Sequence, residues 1–268
     1  MSYIPEISAS KVAGFIGLHK YQAVHEVFYD LLLKDKTTKE KIREAEKSYR
    51  RKPLAFIKSD VLKDSDIRDC ISNALKECHA SEDVSSILER VEQQATVVLA
   101  LRHSGLNDTL RQQMASEVRG QVSRQRGIQN ESTILDAYEK DRNVEVIERN
   151  TKSYKKDYGQ FKLTGRTDGF VPSENRIVDS KDRTRVWDTV PIYDEIQMRV
   201  YMNMSGVPEA ELVENFPNGT TRHTKYTNDA DKWALIENSI RNQVAVLNQI
   251  IETPDKLKSV VFANTVEV

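Results

Sequence analysis

The stretch Arg176-Ile177-Val178-Asp179-Ser180-Lys181 alternates as a β-strand does, so Ile177, Asp179 and Lys181 share one face and an acid projects beside a base. Among the 41 acidic residues, Asp179 alone is followed two positions later by lysine. Upstream, Asp168 stands in Thr167-Asp168-Gly169, and an Asp-Gly pair favours a tight hairpin. Further upstream Ile128, Glu131, Leu135 and Tyr138 recur at helical spacing, which predicts an inward carboxylate on an apolar stripe. Such a carboxylate is costly unless a cation or hydrogen-bond donors meet it. Singly, each feature has an ordinary explanation: a boundary glutamate paired with an arginine, a turn aspartate, a surface cross-strand ion pair. Together they form an ordered set, with an inward Glu on a helix, an Asp at a hairpin and Asp-x-Lys on the next strand.

That set suits a hard divalent cation. Mg²⁺ prefers oxygen ligands and keeps several waters, so two or three carboxylates and a backbone carbonyl suffice. The chemistry such a site supports is phosphodiester hydrolysis, where a cation neutralises charge on the phosphoryl oxygens and an oriented water attacks in line. The expected ligands are Asp168, Asp179 and the Ser180 carbonyl, with Glu131 acting directly or through water; Mn²⁺ is the natural substitute for Mg²⁺. Lys181 is expected to orient or deprotonate the water and to stabilise developing charge. The five histidines show no HExxH-like spacing, which argues against a zinc hydrolase.

A chain of 268 residues with 38% hydrophobic side chains has room for one large domain or two modest ones. Its net charge of -1 creates no global field toward a polyanion, so a nucleic acid must be held by a local patch. Cys70 and Cys78 fit neither a CxxC site nor a disulfide framework, which points to a reducing compartment. No signal-like stretch or long apolar run is present, so the expectation is an intracellular, non-secreted protein without a membrane span.

Between Lys20 and Arg126 there is one proline, Pro53, and the apolar stripes Val24-Val27-Phe28-Leu31-Leu32, Ile67-Cys70-Ile71-Ala74-Leu75 and Val84-Ile87-Leu88-Val91-Ala95-Val98 predict helices. After Gly127 the pattern predicts one helix to about Lys140 and strands at Val144 to Ile147, Phe161 to Leu163, Gly169 to Val171 and Arg176 to Ser180. A helix at Pro191 to Met204, strands at Leu212 to Phe216 and Arg222 to Tyr226, and a last helix at Asp229 to Ile251 complete it. The expected organisation is an N-terminal segment and helical region over 1–120 and an α/β core over 121–268.

The set Gly127-x-x-x-Glu131, Thr167-Asp168-Gly169, Asp179-Ser180-Lys181 and Gln197-x-x-x-Tyr201 resembles the PD-(D/E)xK nuclease superfamily, in particular its lambda exonuclease and YqaJ-like viral recombinase branch. The similarity runs from about Gly120 to Met204, with a further echo in Ile7-Ser8-Ala9-Ser10-Lys11 and Gly17-Leu18-x-x-Tyr21. It implies a restriction-endonuclease-like core, a central mixed β-sheet flanked by helices, here with a large helical N-terminal region. It also implies Mg²⁺-dependent cleavage of DNA, in 5'-3' exonuclease mode, in recombination, repair or viral DNA processing. A single-strand-annealing recombinase and a second copy of the chain are the implied partners. Gln197 and Tyr201 would position Lys181 and the DNA backbone; Ser8 and Ser10 would meet phosphate, or simply cap a helix over Lys11 to Ile16. Two departures stand out: Asp179 occupies a position where that branch more often has Glu, and a long helical insertion precedes Glu131. An endonuclease, or a nuclease-derived protein that binds nucleic acid without cutting it, remains the alternative.

Basic residues flank the set: Arg119, Arg124 and Arg126 before Glu131, and Arg149, Lys152, Lys155, Lys156, Lys162 and Arg166 around Asp168. Of these, Arg124, Arg126, Arg166 and Lys156 are the expected phosphate contacts.

Overall fold

A computed structural model describes residues 3–80 and 83–267. The N-terminal part holds β1 (Glu6–Ser8), α1 (Ala9–Phe15), α2 (Val24–Leu32), α3 (Lys36–Ser48) and β2 (Arg51–Pro53). A helical arm follows: α4 (Leu54–Lys63), α5 (Ser65–Ala80), α6 (Val84–Arg102) and the 35-residue α7 (Asp108–Arg142). Then come β3 (Ser153–Asp157), β4 (Lys162–Arg166), β5 (Gly169–Val171), a 3-10 turn, β6 (Arg176–Asp182), α8 (Ile192–Ser205), β7 (Glu209–Asn215), β8 (Thr221–Thr227), α9 (Ala230–Glu252), α10 (Pro254–Ala263) and β9 (Thr265–Glu267). Among the described residues no helix is long and apolar enough to cross a membrane.

The chain is a mixed α/β protein, as its pattern predicts. Its largest sheet runs β5-β6-β7-β8, with β6 and β7 parallel and the outer pairs antiparallel. Both middle strands are buried along almost their whole length, which requires cover on both faces. Ile177, Ala210 and Leu212 point into the main core with α1, α2, α8 and α9, while Val178 and Val213 pack on Ile134, Leu135 and Tyr138 of α7. A second sheet, β1-β4-β3, adds Ile7 and Leu163 to the main core. The arm has its own core, where Ile67, Leu88, Leu99 and Val118 are essentially inaccessible. Helix α7 joins the two bodies of packing, running unbroken from the arm across residue 120 to the sheet.

Several local expectations change. Gly120 and Gly127 lie inside α7, so no new helix begins after Gly127; packing at Val118 and Val122 on one side and Leu135 and Tyr138 on the other outweighs about 1 kcal/mol per helical glycine. Ile128, expected inward, is 73% exposed. Val144 to Ile147 contributes one bridge, Ile147 to Phe170, rather than a strand. Most consequentially, Thr167-Asp168-Gly169 is not a hairpin: β4 and β5 belong to different sheets, and the chain crosses between them at Asp168. The short β1, β2 and β9, the strand β3 and the helix α10 carry too little periodicity to stand out in sequence.

Charge holds the middle of the large sheet. Glu211, fully buried on β7, accepts from Tyr138 at 2.9 Å, Arg142 at 2.8 Å and Arg176 at 2.8 Å. Burial pushes this carboxyl up, but the tyrosine and the two arginines outweigh it and hold it below the usual glutamate range. Its stabilising contribution is therefore present at neutral pH and is lost as acid titrates the folded protein. Glu211→Gln should lower stability by about 3 kcal/mol at pH 7. The gap from wild type should shrink as pH falls from about 5 to about 3, as read by chemical denaturation; a gap independent of pH would contradict this assignment.

Candidate active site

Strand β5 stops at Gly169, paired with Val178, while β6 continues to Asp182. Beyond that point β6 has an edge that β5 does not cover, and a side chain takes the place of a ladder partner there: Asp168 Oδ2 accepts from the Ser180 N–H at 2.8 Å and its hydroxyl at 3.2 Å. In an extended strand the N–H and C=O of one residue point to the same edge, so the Ser180 carbonyl is directed toward Asp168 as well.

Asp179 and Lys181 lie on one face of β6, as alternation predicts, with Lys181 Nζ 2.6 Å from Asp179 Oδ2. Asp179 is 1% exposed, and neither carboxylate oxygen has a hydrogen-bond donor of good geometry among the described residues. Burial first, then Asp168, push its carboxyl up to about 7 against the pull of Lys181. Asp168 is raised too, by burial and by Glu131, again opposed by Lys181. The Lys181 ammonium is destabilised by burial, yet Asp179, Asp168 and Asp194 together raise its pKa. It stays a cation at every ordinary pH.

Glu131 approaches from α7 and is half-buried at the rim. It hydrogen-bonds the Asn150 amide, whose backbone N–H donates to the Asp168 carbonyl at 3.1 Å. Asn150 has a φ of 51°, a left-handed conformation asparagine tolerates better than most residues, and it was not singled out in the sequence. Gln197 and Tyr201 share a face of α8: Gln197 donates to the Tyr201 hydroxyl at 2.8 Å, and that hydroxyl donates to the Arg166 carbonyl at 2.9 Å. Tyr201 thus tethers the crossing that carries Asp168. The close approach depends on Gly165, where a Cβ would lie 2.8 Å from the Tyr201 ring.

Other expected contacts fare differently. Arg126 is buried rather than available to phosphate, because its guanidinium pairs with Asp182 at 3.0 Å and donates to the Arg183 carbonyl at 3.1 Å. Arg124 is exposed but paired with Glu117. Lys156 is exposed, with its ammonium on the Asn203 carbonyl at 2.8 Å. Arg166 is exposed beside Asp168 and makes no ion pair among the described residues. Ser8 occupies the N-cap position of α1 without a side-chain cap bond, and Ser10 is exposed in the first turn, one residue inside a helix that starts earlier than Lys11. Sequence reading missed Asp194 and Arg183, paired at 2.7 Å behind the centre; the charge run Asp182-Arg183 at the end of a buried strand was the available signal.

The donors fit a cation in part. Among the described residues no three Asp, Glu, His or Cys side chains stand close enough together to hold a metal. Two do converge, Asp168 and Asp179, with the Ser180 carbonyl on the same edge, and the orphaned oxygens of Asp179 favour a positive ion. Mg²⁺, which keeps several waters, needs no more. Glu131 acts electrostatically on Asp168 but does not complete a three-carboxylate group among the described residues.

No protein-family model matches the chain, and no curated protein is significantly similar to it. Among solved structures, an alkaline exonuclease, LHK-Exo from Laribacter hongkongensis, is 17% identical with a TM-score of 0.42, covering 62% of this chain and 92% of that one. The same enzyme in complex with dAMP gives 16% and 0.42 over 59% and 88%. A phage related exonuclease from Haemophilus somnus 129PT is 14% identical with a TM-score of 0.45, covering 93% and 96%. Superpositions this loose transfer no chemistry, so the residues themselves must carry the reading.

A cation held between Asp168 and Asp179 should stabilise the fold. The melting temperature should rise with Mg²⁺ or Mn²⁺, by about 1.4 kcal/mol of stability at tenfold over Kd. Asp179→Asn should abolish the rise and Glu131→Gln should keep most of it. Equal responses in wild type and Asp179→Asn would exclude this pair as ligands.

Proposed function

We propose that the chain hydrolyses phosphodiester bonds in DNA at the edge of β6, with Asp168, Asp179 and the Ser180 carbonyl holding Mg²⁺ and with Mn²⁺ as substitute. The observation that carries this is the meeting of the buried Asp179 and the half-buried Asp168 with the Lys181 ammonium, at an edge left open by the end of β5. Glu211 is met by several hydrogen-bond donors, whereas among the described residues Asp179 has none beyond the ammonium. A bound cation supplies neutralisation of charge on the phosphoryl oxygens.

The protein's own groups do the rest. Lys181, 2.6 Å from Asp179, orients or deprotonates the attacking water and stabilises the developing phosphoryl charge. Glu131, held by Asn150 at the rim, orients water from the α7 side. Gln197 and Tyr201 act as positioning residues, fixing the Arg166 carbonyl and so the Asp168 crossing. Exposed Arg166 is the basic side chain best placed to meet phosphate. The preferred mode is a 5'-3' exonuclease in recombination, repair or viral DNA processing, with an annealing recombinase or a second copy of the chain as partner.

Lys181→Ala should reduce cleavage of end-labelled linear duplex about 100-fold or more while Mg²⁺ and DNA binding persist. Linear DNA should be degraded and covalently closed circles spared. Cleavage that survives Lys181→Ala would remove the proposal, and equal attack on circles would replace the exonuclease mode with an endonuclease.

A further inference from the structure

Beside the carboxylate centre, three rings meet where the loop after α1 reaches the start of α8. His19 stacks on Tyr193 with centroids 4.4 Å apart and planes at 28°. Tyr21 stands edge-on to both, at 6.4 and 6.5 Å. It is 59% exposed, and its neighbours Leu18 and Ile192 are about half exposed, so aromatic and apolar surface faces water here. Burying that surface would be favourable, and among the described residues it stays open to water.

Cations are interleaved with these rings. Lys20 Nζ lies 5.5 Å above the Tyr21 ring, and the Arg185 guanidinium lies 4.5 Å above Trp187, near enough to Tyr193 to act on its hydroxyl. Among the described residues neither Lys20 nor Arg185 has an acidic partner. The contrast lies in the adjoining groove between α1 and the arm, where Lys11, Lys58 and Arg124 are each already paired with Asp30 or Glu117. Asp194, in the first turn of α8, connects platform and centre: its charge acts on His19 and also on Asp179 and Lys181.

Exposed aromatic surface beside cations that have no acidic partner among the described residues matches one chemistry well. In a single strand the base faces are available to stack and the phosphates need cations, whereas a duplex hides its base faces. We infer that Tyr21, His19 and Tyr193 form a platform on which an unpaired segment of a nucleic-acid strand stacks as it approaches the Asp168–Asp179 edge, with Lys20 and Arg185 meeting its phosphates. This rests on reading that edge as a phosphodiester centre, and it adds the form of substrate, a frayed or tailed end rather than a closed duplex.

The test is binding of fluorescein-labelled oligonucleotides in EDTA, where no strand is cut, comparing a blunt duplex with the same duplex carrying an unpaired thymidine tail. Wild type should favour the tailed form about tenfold, Tyr21→Ala should abolish the preference, and Tyr21→Phe, which keeps the ring face, should retain it. Tyr21 is surface-exposed, so circular dichroism and melting temperature of Tyr21→Ala should match wild type. An RNA tail with the same Tyr21 dependence supports a platform that reads base faces. Absence of any tail preference in wild type, or a preference unchanged in Tyr21→Ala, overturns the inference. Cleavage of the same oligonucleotides with Mg²⁺, run in parallel, separates the two claims: wild type that cuts without Tyr21-dependent preference loses the platform alone. Wild type that binds tails through Tyr21 but cuts nothing loses the hydrolytic reading alone.

Discussion

Asp179 is drawn out of water beside the half-buried Asp168 at the bare edge of β6, and the Lys181 ammonium only partly offsets the repulsion between them. Burial and the neighbouring Asp168 raise the Asp179 carboxyl, burial and Glu131 raise that of Asp168, and the same two acids raise the pKa of the lysine. Such an arrangement works against folding, and it persists because the surroundings over-determine it. Asp168 is fixed by Ser180 from below and by the Tyr201 tether on its crossing; Asp179 is carried on a strand whose every neighbour is packed. On the proposed function, a divalent cation would convert the repulsion into ligation.

The remainder of the sheet tolerates this strain by being strongly tied. Glu211 gathers Tyr138, Arg142 and Arg176, while Arg183 joins Asp194 and Glu214, so β6, β7, α7 and α8 are cross-linked by buried charge on both sides of the site. These pairs contribute registry as much as energy, since removing one partner leaves the other charge stranded. The same ties place the first turn of α8 next to His19 and bring the aromatic surface within electrostatic reach of the carboxylates.

How much of this was legible in sequence follows from the range over which each signal acts. Alternation along β6 is local, and it placed Asp179 and Lys181 on one face correctly. The i, i+4 spacing of Gln197 and Tyr201 likewise survived as a direct hydrogen bond. Asp168 was found for a partly wrong reason: Asp-Gly marks a turn, yet the dipeptide does not distinguish a hairpin from a crossing between two sheets. Arg126 shows the limit most clearly, because a basic residue on a helix face reveals nothing of the Asp182 that lies opposite it in the fold. Glycine in α7 misled in the other direction, since long-range packing on both halves of the helix overrides a local penalty.

The most direct measurement is the anomalous difference density of crystals soaked in Mn²⁺. One strong peak is expected between the Asp168 and Asp179 carboxylates, within ligand distance of the Ser180 carbonyl and with Glu131 no nearer than one water away. A peak elsewhere on the molecule, or none at this edge under conditions where DNA is cut, would contradict it.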